Sequence, residues 1–274
     1  MSATSAKSAK STKSTRSARS AKTPTSPRAP HTRAWHTFEE NLEGVGHMVT
    51  MTGREIQLIA TATKRLSTLA KKYRAAPNKV TLKKLTKSAD RWDKAVTEGI
   101  ERFKTAHLWQ VVMLVTCVEG YLQDLLSSAA IVDPDLMSKS EQMAPYATVA
   151  AASSLEDLMN EMRGRWARGW LNDGGPTQWL TRLEKMGVRG YAATLAPRLE
   201  LIWGIRHVVV HAGGVSTADF VRRHPGMVGA LGDRVRVPTQ ELKKYIAAVR
   251  GLMEPTEAFF LARWPALGEA RGFD

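Results

Sequence analysis

Apolar residues recur at three- and four-residue steps in the middle of the chain: Val111, Leu114, Val115, Val118, Leu122, Leu125 and Leu126. That spacing lays a continuous apolar stripe along one side of a helix. It predicts one long helix from about 91 to 130, stopped by Asp133-Pro134. Upstream, Ile56, Ile59, Leu66 and Leu69 share one side of a helix over 47–76 that Pro77 ends, and 79–90 reads as a short Lys-rich helix. Thr37-Phe-Glu-Glu40 has capping-box spacing, but Gly44 and Gly46 interrupt the stretch after it. Downstream, Ser154-Leu-Glu-Asp157 opens a helix that reaches Leu171, and Asn172-Asp-Gly-Gly-Pro176 closes it. A short helix covers 177–186. Another runs from Ala196 to Ala212 with Leu199, Ile202 and Trp203 as its core face. Residues 213–237 form a long Gly/Pro-punctuated connection with Val235 and Val237 in a brief extended piece. Thr239 would cap the last helix, which Pro255 kinks or divides. Strand patterns are almost absent, so the expected fold is all-α.

Composition narrows the class. At 274 residues and 43% hydrophobic content the chain can bury a sizeable core. The single cysteine, Cys117, excludes an intramolecular disulfide framework and sits in the apolar stripe as a small hydrophobe. The stretch Leu108–Leu126 is broken by Gln110, Glu119, Gln123 and Asp124, which makes it a core helix rather than a membrane span. Of the net charge of +14, eight units lie before Trp35, where there are no acids, leaving +6 for the body.

That first segment is a repeat. Residues 5–22 read SAK SAK STK STR SAR SAK, followed by TPTSPRAP. With no apolar side chain larger than alanine or threonine in that segment, the expectation for 1–34 is a disordered basic tail. It lacks the apolar run of a secretory signal. Its charge suits either an electrostatic tether to nucleic acid or a solvated tail without a specific partner.

The densest chemistry is Arg206-His207-Val-Val-Val-His211-Ala-Gly213-Gly214. On a helix His207 and His211 lie one turn apart on one face, and the long Arg206 side chain can reach over the same cleft. Gly213 supplies the left-handed residue that stops the helix. Arginine stabilises phosphoryl oxyanions, and histidine moves protons near neutral pH. The His207-x3-His211 spacing also suits zinc, but the zincin pattern needs glutamate where Val208 stands and no third ligand is evident, so no metal is expected. Arg222-Arg223-His224-Pro225 is a basic loop that either touches phosphate or is a solvated turn. Trp166, Trp170 and Trp179, beside Arg163, Arg165 and Arg168, either stack on bases or belong to the core. No lysine-bearing phosphate loop and no Ser-His-Asp order is present.

The cluster resembles the R-x4–6-H motif of the HEPN superfamily, with Arg206 and His211 on the two motif positions. His207 stands where asparagine is usual. His211-Ala-Gly213-Gly214-Val215 is similar to an H-x-G-G-[IV] run, Gly232-Asp233 resembles the return towards the last helix, and Glu119-Gly-Tyr121-Leu122 is similar to an E-x-Y-L stretch. The resemblance spans about 91–254. It implies a HEPN-like helical bundle over 91–266; residues 35–90, which the resemblance does not cover, read as a helical extension that is either a hairpin on the bundle or an arm towards a partner. The resemblance further implies a metal-independent endoribonuclease without cofactors, working as a homodimer with a shared cleft. His211 would then activate the ribose 2′-hydroxyl or protonate the leaving oxygen, and Arg206 would hold the scissile phosphate. His207 would support the pair, Glu119 would orient Arg206 across the bundle, and Arg222, Arg223 and His224 would contact RNA. The implied setting is a toxin-like or defence effector in a bacterial cytoplasm, away from membranes, with an antitoxin or other regulatory partner. The alternatives are a non-catalytic RNA- or protein-binding module, or a DNA-associated protein recruited by its tail.

Overall fold

A single 54-residue helix, α2 (Lys79–Val132), is the axis on which the other elements pack. The computed structural model describes residues 31–73, 79–138, 143–228 and 230–269. The tail repeat and Pro77 lie outside them. Along α2 the stripe from Val111 to Ala130 is buried, as the spacing requires. By length and composition α2 holds a stretch apolar enough to cross a membrane. Here that stretch carries the centre of the helical core.

Helix α1 (Arg33–Tyr73) runs unbroken through Gly44 and Gly46, where glycine propensity predicts an interruption. Ala34, Trp35, Phe38, Leu42, Val45 and Val49 are all buried on one side of it. Neither glycine has an atom within 4 Å of its Cβ position, so both face open space. Each costs about 1 kcal/mol of helix propensity, and the buried stripe outweighs that by several-fold. The helix is capped by Thr32, whose Oγ1 accepts from the Trp35 N–H at 3.1 Å, so the Thr37 capping box does not form its start.

The boundaries expected at 35 and 90 therefore fall inside α1 and α2. No glycine or proline separates 79–90 from the long helix beyond it, and nothing breaks the backbone ladder there. The first part of α1 belongs to the bundle core. Its remainder pairs with the first part of α2 as an antiparallel hairpin: Thr52 meets Gln110 at 3.2 Å, the Gly99 Cβ position lies 3.8 Å from Ile59, and Leu66 faces Trp92 and Val96. From Thr52 to Tyr73 this arm extends roughly 30 Å at 1.5 Å per residue.

A 3₁₀ turn (Pro134–Met137) ends α2, and α3 (Tyr146–Ala151) leads to α4 (Leu155–Asn172). Ser154 caps α4 by accepting from the Asp157 N–H. Next come α5 (Pro176–Met186) and α6 (Leu195–Ala212), which lies against α2 with Leu195, Leu199, Ile202, Ile205, Val208 and Val209 inside. Trp203 is only half-buried. The connection after α6 holds a short helix not expected from sequence, α7 (Ala218–Arg223), capped by Thr217 and anchored by buried Phe220. Its return leg forms one isolated bridge, Val215 to Arg234, and buries Val235 and Val237.

Helix α8 (Thr239–Arg263) passes through Pro255 undivided, and its N-cap is Pro238 rather than Thr239. Pro255 removes one intrahelical bond, but Thr256, Glu257 and Phe260 just beyond it are buried and hold the helix to its course. A final turn, α9 (Ala266–Glu269), packs on α2 and α8. The protein is all-α, with no strand among the described residues.

Candidate functional site

The buried stripe of α6 decides what its other side presents. With Ile205, Val208 and Val209 turned inward, Arg206, His207, Val210 and His211 are left on the outer side. His207 and His211 are exposed, and their rings lie 4.6 Å apart between centroids. Gly213 (φ 59°) and Gly214 (φ 82°) close the helix in the left-handed region, and the Gly214 N–H donates to the Val208 carbonyl at 3.1 Å. A Cβ at Gly214 would lie 3.1 Å from Leu108 of α2, so this stop is wedged against the core.

Beside that helix end, α6, α7 and the start of α5 enclose a solvent-open cleft of about 210 Å³. Arg206, His207, Arg223 and His224 line it, together with Trp203 and Glu200. Arg206 is half-buried, and its Nε is enclosed without a hydrogen-bond partner among the described residues. A buried donor left unsatisfied is costly and invites an acceptor. Glu200 is committed elsewhere: its Oε1 accepts from the Thr177 N–H at 3.0 Å and hydroxyl at 2.8 Å, which caps α5. Asp219 pairs with both Arg222 and Arg223.

His224 is half-buried and packs on Phe220 with ring centroids 5.0 Å apart. Burial, then the neighbouring Arg223, lowers its pKa, against opposing pulls from Glu200 and Asp219. The imidazole is thus held neutral at pH 7. Its Nε2 occupies space that a side chain at position 204 would need, only 2.7 Å from the Gly204 Cβ position. Gly204 in mid-helix is explained by this close approach.

The structure therefore brings together Arg206, His207, Arg223 and His224. His211 touches His207 but does not line the cleft, and Arg222 stays outside it. Among the described residues no hydrogen bond or ion pair joins Glu119 to Arg206; Glu119 is half-buried on α2. The neighbouring Tyr121 is used differently, in a buried bond to Glu257. Glu200, Gly204 and Asp219 carry no motif that marks them in the sequence. The mid-helix glycine is the one signal that could have found them. Trp179 is a buried packing residue with its indole N–H on the Leu171 carbonyl at 2.8 Å, and Trp166 and Trp170 are half-buried against the core. Cys117 is half-buried, and burial pushes its thiol upward, away from the reactive thiolate. Among the described residues no group of three or more His, Cys, Asp or Glu side chains is placed to hold a metal ion.

The chain matches no family model, no curated protein and no solved structure. What the site can do must come from its own groups. A guanidinium with an unmet donor can hold an anionic oxygen, and imidazoles around the same opening can move protons.

Proposed function

We propose that the protein is a metal-independent endoribonuclease of the HEPN type, acting as a homodimer. The observation that carries the reading is the placement of Arg206, its Nε enclosed and unpaired, beside two exposed imidazoles one helical turn apart. In the proposed reaction His211 takes the proton of the ribose 2′-hydroxyl. The 2′-oxygen attacks phosphorus, the bond to the 5′-oxygen breaks, and a second, protonated imidazole, His211 of the other protomer, gives its proton to that leaving oxygen. The products are a 2′,3′-cyclic phosphate and a free 5′-hydroxyl. Arg206 supplies its donors to the phosphoryl oxygens as charge builds on them, and His207 holds the His211 ring. Because His211 stands outside the cleft of one protomer, a second protomer's cleft completes the opening. The implied setting is an effector in a bacterial cytoplasm, held in check by a regulatory partner.

The position of His211 and the missing Glu119–Arg206 link favour a second reading, a non-catalytic RNA-binding module. Incubating the full chain with RNA in EDTA separates the two. Cyclic-phosphate ends that vanish in Arg206→Ala and His211→Ala support the nuclease. Cleavage that survives both substitutions removes the assignment, and RNA binding without cleavage leaves the binding module.

A further inference from the structure

The outer end of the α1–α2 arm has an unusual charge distribution. Residues 60–89 contain nine Lys and Arg and no Asp or Glu. Lys64, Arg65 and Lys71 on α1, and Lys83 and Lys87 on α2, are all exposed. None of these five forms an ion pair among the described residues. Nearer the bundle the same arm does pair its cations: Lys94 and Arg102 with Glu98, and Lys104 with Glu101. A hairpin needing only solubility would be served by such mixed charge throughout. Over residues 60–89 there are no carboxylates to pair with, the first on α2 being Asp90.

Helix geometry orients these cations. At 100° per residue Lys64, Arg65 and Lys71 fall within about 120° of one another, opposite the side where Ile59, Thr63 and Leu66 meet α2. Lys83 and Lys87 likewise stand opposite Trp92 and Val96, which face α1. Both helices thus turn their cations outward, with Lys71 at the rim of the groove between them. The nearest acids on α2, Asp90 and Asp93, line that groove together with Lys71, and Asp90 stands one turn beyond Lys87 on the same side of the helix.

We propose that the outer end of this arm is a sequence-independent grip for the phosphate backbone of RNA, separate from the α6 cleft. The choice of RNA among polyanions rests on the nuclease reading above; the grip itself rests on the arm alone. Lysine suits this role as a flexible point charge, and each phosphate it neutralises releases counterions.

The test uses the full chain carrying Arg206→Ala and His211→Ala, so that RNA survives the measurement. Affinity for a hairpin RNA is followed against salt, with and without Lys64→Gln, Arg65→Gln, Lys71→Gln, Lys83→Gln and Lys87→Gln together. Each phosphate left without its cation lowers the log–log salt slope by about 0.7–0.9, so the expected result is a fall of about two or more and a loss of about tenfold or more in affinity. Replacing the four lysines by arginine keeps the charge and should keep both. An unchanged slope overturns the proposal, as does tighter binding to vesicles of phosphatidylserine and phosphatidylcholine than to RNA. In the otherwise wild-type chain, cleavage of a dinucleotide too short to reach the arm should be unaffected by the five glutamines. The arm and the nuclease reading can therefore fail separately.

Discussion

Tyr121 donates its hydroxyl to Glu257 at 2.8 Å, joining α2 to α8 inside the core. The same carboxylate accepts from the Thr32 N–H at 2.6 Å and the Thr32 hydroxyl at 3.0 Å, so it also ties down the start of α1. Burial first, then the adjacent carboxylate, raises the Tyr121 pKa well above its ordinary value, so the phenol stays a donor. Glu257→Ala leaves these donors buried without an acceptor and should lower stability by about 3 kcal/mol. Tyr121→Phe removes one bond and should cost about 1 kcal/mol. Urea unfolding measures both, and equal losses would show that Glu257 is not the hub.

The two glycines that stop α6 should not respond alike. Gly213 needs only its positive φ, since nothing lies within 4 Å of its Cβ position. Gly213→Ala should cost about 1 kcal/mol from the left-handed conformation alone. Gly214→Ala adds a methyl 3.1 Å from Leu108 and should cost more. Thermal denaturation ranks the two, and a larger loss at 213 would contradict this packing.

His107 makes stability depend on pH. It is buried, donates Nδ1–H to the Val237 carbonyl at 3.0 Å, and has its Nε2 enclosed without a partner. Burial lowers its pKa from the ordinary 6.5, partly offset by the bond to Val237. Below that ordinary value the unfolded chain takes up a proton that the folded chain refuses. Stability is therefore full above pH 6.5 and falls as pH drops from there towards the lowered folded value. Half-buried His224 contributes with the same sign. His107→Gln should flatten the stability–pH curve over this range, and an unchanged slope would rule His107 out as its source.

Gly204→Ala tests how His224 is seated. The new methyl would stand 2.7 Å from His224 Nε2, the far end of a ring that can swing aside. Replacing a helical glycine by alanine favours the helix by about 1 kcal/mol, so folding should be unharmed. The His224 imidazole resonances should nevertheless shift towards those of an exposed ring, and affinity for RNA at the cleft should fall. Unmoved resonances would mean that the ring does not occupy that space.

Most of the helices could be read from the chain because their causes are local. The α2 stripe, the Ser154 cap, the Asn172–Pro176 break and the left-handed stop at Gly213 each depend on residues within a few positions of one another. The errors came where a local signal met distant packing. Gly44 and Gly46 look like breaks, yet the stripe from Trp35 to Val49 buries against the bundle and keeps α1 whole. Pro255 looks like a division, yet Glu257 and Phe260 are held from outside the helix.

The same boundary runs through the candidate site. The sequence by itself placed Arg206, His207 and His211 on one helix end and set the charge of the arm, since both depend on spacing and composition alone. Only the tertiary structure put His224 against Gly204, left Glu119 without a bond to Arg206 among the described residues, committed Glu200 to capping α5, and gave Tyr121 to Glu257. Those partners are far apart in the chain. Helical periodicity says which side of a helix is buried but not which other helix covers it; that is decided by how the buried faces fit together.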